Sequence, residues 1–403
     1  MGTGGLSSAR LGRMHDVMAG HVDGGGVPGL VTLVARHGEV HVDAIGTMAQ
    51  GGSAPIGRDT IFRISSMTKP VTAAAAMILV EECALRLDEP VDRLLPELAG
   101  RRVLRRMDGP LDDTVPANRP ITARDLLTFR MGFGLVMAPP GTYPIQQAMD
   151  ELRLGQGPPA PSTPPEPDEW ISRLGTLPLL HQPGQGWMYN MGCDVLGVLI
   201  ARASGRPFEA FLRERIFEPL GMKDTGFHVP ASELGRLGTF YWTDPVTGEL
   251  MLADEPADGQ WSRPPAFPSG AGGLVSTADD FLAFGQMLLD DGRHGSERIL
   301  SRPSVELMTA DHLTTEQKMA SSLVPGFWDT HGWGFGMSVV TRGDAPEGSV
   351  GTFGWDGGMG TVWHSDPRED MVAILMTQAG WTSPSPPAVC LDFWTCAYAA
   401  IDD

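Results

Sequence analysis

The chain has 403 residues and carries 30 Lys and Arg against 49 Asp and Glu, a formal net charge of −19 with a pI near 4.9. That balance supplies no basic stripe and argues against a protein that tracks nucleic-acid phosphates. With 42% hydrophobic and 20% charged residues the composition is globular, not disordered, and at about 150 residues per unit the length predicts two or three structural units.

In chain order, residues 8–21 predict an amphipathic helix that ends at the glycines 24–26. Gly24-x-Gly26-x-x-Gly29 matches a dinucleotide fingerprint formally. It contains Pro28 and precedes a strand where the fingerprint must follow one, so it reads as a turn. Residues 30–48 form a predicted β-hairpin, two β-branched runs around His37-Gly38-Glu39. A helix is expected to start close to Ser66, with residues 73–85 strongly helix-forming. Its apolar run, 71–80, stops at Glu81 and is too short to cross a bilayer. Residues 1–10 hold no apolar core of signal-peptide length, so a cytoplasmic protein is expected. Residues 86–130 alternate short helical patterns with loops, and 121–127 reads as a helix start. Six prolines within 155–168 make a loop or lid. Residues 191–221 are again helical. From about 265 onward, Gly-rich turns separate strand-like runs at 335–341, 349–354, 360–365 and 371–378, followed by a helix near 387–401.

Strands at both ends and helices between them point to an α+β fold: an antiparallel sheet built from the two termini, not alternating βαβ units. The expected division is a discontinuous sheet unit, 1–75 with 265–403, and a mostly helical unit, 76–264, with the active site between them.

Four scattered cysteines, Cys83, Cys193, Cys390 and Cys396, give neither a disulfide framework nor a zinc spacing, and the ten His are dispersed. No metal or other cofactor is expected. Neither Gly-x-Ser-x-Gly nor His-Glu-x-x-His occurs. The basic residues are more telling, because only three are lysines: Lys69, Lys223 and Lys318. Lys69 follows Ser66 in Ser66-Met67-Thr68-Lys69-Pro70. Ser-x-x-Lys puts a hydroxyl and an amine one helical turn apart on one face. Pro70 is tolerated near a helix start, which sets Ser66 where free N–H groups and the helix dipole favour negative charge. A serine hydroxyl attacks only once a base takes its proton, and a lysine amine that has lost its own proton can do so where arginine cannot. With 22 Ser and three Lys, about 0.16 such pairs are expected by chance, so the motif alone does not exclude a capping Ser beside a surface Lys.

The surrounding segment Ile61-Phe-Arg-Ile-Ser-Ser66-Met-Thr-Lys69-Pro resembles the serine β-lactamase and penicillin-binding-protein superfamily, in its class C-like branch with the related family VIII carboxylesterases. Pro183-Gly-Gln-Gly-Trp-Met-Tyr189-Asn190-Met191 is similar to that family's Pro-Gly-x-x-Trp-x-Tyr segment, and Phe353-Gly-Trp355-Asp356-Gly357-Gly358 stands where the family has its Lys-Thr-Gly or His-x-Gly strand. The similarity spans roughly residues 20–400 with its motifs in order. It implies a β-lactamase/DD-peptidase-like fold, Ser66 as the acylated nucleophile, Lys69 as its activating partner and Tyr189 as general base and acid. The implied oxyanion hole is the backbone N–H of Ser66 and of Gly358, with Met191, Trp355 and Gly357 at the substrate.

Two positions depart from the β-lactamase pattern. Met191 replaces an Asn that contacts the substrate amide, with Asn190 displaced by one residue. Trp355 replaces the cation that meets a substrate carboxylate, and an indole has one N–H and no charge. Arg342 and His331 are the alternative sources of an anion site. The expectation is therefore a serine hydrolase of small neutral esters or amides, with little or no β-lactamase activity and no nucleic-acid or membrane partner. An acyltransferase using the same acyl-enzyme, a β-lactamase or DD-peptidase, and a non-catalytic binding protein of this fold are the alternatives.

Overall fold

The computed structural model describes residues 4–155, 157–321, 324–343 and 348–403. Helix α1 (Ser8–Asp23) ends at the glycines as expected and leads into a hairpin of β1 (Gly29–Arg36) and β2 (Glu39–Gly46). His37 and Gly38 both take positive φ, +51° and +78°, the two-residue turn whose twist matches that of paired strands. The other strands of the same sheet come from the far end of the chain: β3 (His331–Trp333), β4 (Ser338–Val340), β5 (Phe353–Gly357), β6 (Thr361–Asp366) and β7 (Met371–Thr377). The order is β3-β4-β5-β6-β7-β1-β2, and every pairing is antiparallel. The sheet is thus joined from both termini.

Strand β1 is buried at all eight positions because both faces of the sheet are covered, which is why its sequence runs apolar instead of alternating. Leu30 and Val34 face one layer, with Met14 and Met18 of α1 and with Phe393 and Trp394 of the C-terminal helix α5 (Ala388–Ala399). Val31 and Leu33 face the other, with α2 (Thr68–Glu81) and α4 (Ala278–Leu289). Helix α2 is buried continuously from Thr68 to Leu79, as a helix that is apolar all round must be. It packs against α3 (Met191–Ser204), so one core runs from the sheet into the helical region.

The structure differs from expectation in several places, among them that the strand expected at 335–341 is two, His331–Trp333 and Ser338–Val340, and that 86–130 carries a strand pair, Arg102–Leu104 with Thr114–Pro116. The strand expected at 349–354 lies at Phe353–Gly357, because 349–352 turns before pairing starts. Regular α-helix begins at Thr68, after a 3₁₀ turn at Ser65–Met67. The mid-chain region also carries strands Phe240–Thr243 and Leu250–Asp254, which join Ala379–Gly380 in a small separate sheet. Among the described residues no helix is long and apolar enough to cross a membrane.

Candidate active site

The turn that carries Ser66 is strained. Ser65 has φ +38°, a value a residue with a Cβ adopts only when its surroundings hold it there. The surroundings are the β5–β6 turn. The Met359 N–H donates to Ser65 Oγ at 3.3 Å, and Thr361 Oγ1 donates to the Ile64 carbonyl at 3.2 Å. A Cβ on Gly357 would strike that same carbonyl and lie 2.8 Å from Ser65 Oγ, so only glycine allows the approach. The clamp sets Ser66 and Gly358 on the wall of one cavity, and a Cβ on Gly358 would meet nothing within 4 Å.

Lys69, on the first turn of α2, is fully buried. Its Nζ donates to Ser66 Oγ at 2.8 Å and to the Ala271 carbonyl at 2.6 Å, and it stands 4.4 Å from the centre of the Tyr189 ring. Segment 269–274 is itself tied to α2, since Thr72 Oγ1 donates to the Gly270 carbonyl and the Leu274 N–H donates to Thr68 Oγ1. Tyr189 ends the loop before α3 and is ringed by Phe129, Trp187, Trp333 and Trp355. Ser66 and Lys69, one helical turn apart, and Tyr189, from a distant part of the sequence, therefore meet at one point.

Three sequence expectations need correction or refinement here. Met191 is only 2% exposed and lies outside the cavity wall, because it is the first residue of α3 and turns into the core; Asn190, at φ +82°, lines the cavity instead. Gly357 does not line the cavity either, being pressed against the nucleophile turn. Trp355 does line it, but its single donor is taken: Nε1 donates to the Tyr189 hydroxyl oxygen at 2.7 Å. The alternative anion site is not formed. His331 lines the cavity, yet burial, followed by the charge of His364, pushes its pKa down to about 4, which leaves a neutral ring at pH 7. Arg342 is exposed and off the wall.

The sequence did not single out Asp194. Its carboxylate, on α3, accepts from Ser269 Oγ at 2.7 Å and from the Ala271 N–H at 3.1 Å, so it fixes the peptide whose carbonyl holds Lys69. Burial raises its pKa to about 6 against the opposing effect of these bonds and of Lys69. An acidic residue five places after Tyr189 in an otherwise apolar helix was the only signal. The cavity itself has a volume of about 890 Å³. Pro158, Pro159, Pro161 and Pro164 of the proline-rich loop form one wall, held by a hydrogen bond from Ser162 Oγ to Gln260 Oε1 at 2.9 Å.

Residues 14–387 match the family described as Beta-lactamase. An uncharacterised protein from Mycobacterium tuberculosis is 42% identical over 362 residues, 88% of this chain and 87% of its own length. Esterase EstB from Burkholderia gladioli is 31% identical over 380 residues, covering 89% of this chain and 88% of its own. Among solved structures, EstCE1, described as a hydrolase with promiscuous acyltransferase activity, superposes with a TM-score of 0.79 at 26% identity over 96% of this chain and 98% of its own.

Proposed function

The chain belongs to the beta-lactamase family and is a serine hydrolase, and from that premise we propose that it cleaves small neutral carboxylic esters through an acyl-enzyme on Ser66. The observation that carries this reading is Lys69 Nζ at 2.8 Å from Ser66 Oγ, at the end of a cavity whose wall holds no Arg or Lys among the described residues. In the first step Ser66 Oγ bonds to the ester carbonyl carbon while its proton passes to Lys69 or Tyr189. The backbone N–H groups of Ser66 and Gly358 receive the oxyanion. The carbonyl–alkoxy bond then breaks, the proton goes to the departing alcohol, and the acyl group stays on Ser66. Water repeats the sequence in reverse to release the acid.

A β-lactam brings a carboxylate to the third motif, and among the described residues no Arg or Lys lines the cavity to meet it. Loss of such a partner costs about 2–5 kcal/mol, by analogy with truncated charge pairs. That is roughly 30- to 4,000-fold in rate. The expected result is a kcat/KM for p-nitrophenyl butyrate at least about two decades above that for nitrocefin or benzylpenicillin, within the same estimate. Efficient penicillin hydrolysis would overturn the assignment of substrate class. A second reading, acyl transfer to an added alcohol, is favoured by the apolar proline-rich wall of the cavity and by the likeness to EstCE1. It predicts that alcohols divert butyryl groups from butyrate to a new ester.

A further inference from the structure

Residue Asp356 follows Trp355 on β5 and lines the same cavity. Among the described residues its carboxylate accepts no hydrogen bond, and Oδ1 is buried with His364 Nε2 3.5 Å away. Buried carboxylates are nearly always satisfied by donors or by a counter-charge, because removing them from water is otherwise costly. Among the described residues no donor hydrogen-bonds Oδ1, and the one basic group beside it is the His364 ring. The wall offers little positive charge to set against it. His331 is neutral at pH 7, and no Arg or Lys lines the cavity among the described residues. The nearest ammonium, Lys69, is buried beneath Ser66 and spent on Ser66 and Ala271.

One ring, that of His364, adjoins the carboxylate. His364 stacks on Trp394 at 4.4 Å and 8°, and Trp381 and Trp355 share the wall. A mostly buried carboxylate beside the stacked His364 and Trp394 rings, in a cavity that no Arg or Lys lines among the described residues, is suited to an organic cation, which ring quadrupoles also attract. The chain's net charge of −19 draws cations in the same sense.

We propose that the cavity selects esters bearing an alkylammonium group, and that Asp356 is the residue that receives the charge. The proposal rests on the reading of Ser66 as the ester-cleaving nucleophile and adds to the neutral esters of that reading a preferred class that bears a positive charge. Trp355 and Asp356 then divide the third motif between them, the indole holding Tyr189 and the carboxylate holding the substrate.

The test compares butyrylcholine with its neutral isostere 3,3-dimethylbutyl butyrate on the full-length protein at pH 8. Each kcat/KM is taken relative to hydroxide-catalysed hydrolysis of the same ester, which removes leaving-group effects. The expected ratio is at least about 10 in favour of the cation, on the scale of a partly desolvated charge contact. In Asp356→Asn the ratio is expected to fall toward unity, and because it is internal to each protein, a partly folded variant does not distort it. A ratio below about 10 in the unmodified protein, or one that Asp356→Asn leaves within about twofold, overturns the proposal. Continued p-nitrophenyl butyrate hydrolysis in that case leaves the reading of Ser66 standing. Inertness toward all three esters overturns both.

Discussion

Lys69 is one of three lysines in a chain that otherwise uses arginine, and its buried amine contacts the serine it is proposed to activate. A guanidinium in the same place keeps its proton under all working conditions. Lys69→Arg is therefore expected to be as inactive as Lys69→Ala toward p-nitrophenyl butyrate, and an arginine variant keeping substantial turnover would show that the position supplies charge alone. Trp355 acts one step further back. Its Nε1 donates to the oxygen through which Tyr189 is proposed to pass protons, and hydrogen bonds to charged groups contribute about 1.5–3 kcal/mol. Trp355→Phe keeps an aromatic ring and removes the donor, so kcat should fall roughly 10- to 150-fold. An unchanged kcat would mean that the bond does not matter to the reaction. At this scale the sequence was informative wherever chemistry sets the spacing, as in Ser66 and Lys69. It was silent where the partners are remote: Ser65 answers to Met359, and Asp194 to Ser269 and Ala271.

Asp194 links two elements, α3 and segment 269–274, and its pKa gives that link a pH signature. Burial raises it from 3.8 to about 6, so between those values the folded chain holds a proton that the unfolded chain has released. Stability therefore falls as pH rises through that window, by about 2–3 kcal/mol in all, and the full cost is present above pH 6. Asp280, raised to about 6 chiefly by burial, contributes in the same direction. Asp194→Asn keeps an oxygen for Ser269 and for the Ala271 N–H but cannot titrate. Urea unfolding at pH 4, 5 and 6 should give a less negative slope of stability against pH in this variant, and identical slopes would contradict the assignment. The elements themselves were readable in proportion to their regularity. The hairpin at 29–46 and helix α2 are long and rich in β-branched and helix-forming residues respectively. Strand β5 was displaced by several residues because Gly354, Gly357 and Gly358 leave it little side-chain pattern. Phe240–Thr243 went unpredicted because four residues carry little periodicity and one of its partners lies at Ala379–Gly380.

For the whole molecule, the antiparallel sheet joined from both termini was legible in the order of strand-like and helical segments, because only such a sheet unites strands separated by a long helical stretch. We propose that the chain divides functionally into the sheet unit, 1–75 with 265–403, and the mostly helical unit, 76–264. In that division Ser66 and Gly358 belong to the first and Tyr189 to the second, although one core is continuous through both. What composition cannot supply is the shape of the cavity between them, which depends on how the proline-rich loop, the 269–274 segment and the β5–β6 turn close on one another. The central claim is that this closure makes Ser66 an acyl acceptor, and intact-protein mass spectrometry with peptide mapping after treatment with a fluorophosphonate tests it most directly. The prediction is a single adduct, on the peptide containing Ser66 and localised to that residue by fragmentation, with labelling and esterase turnover both lost in Ser66→Ala. An adduct on Ser65 or elsewhere, or esterase activity retained by Ser66→Ala, would contradict it.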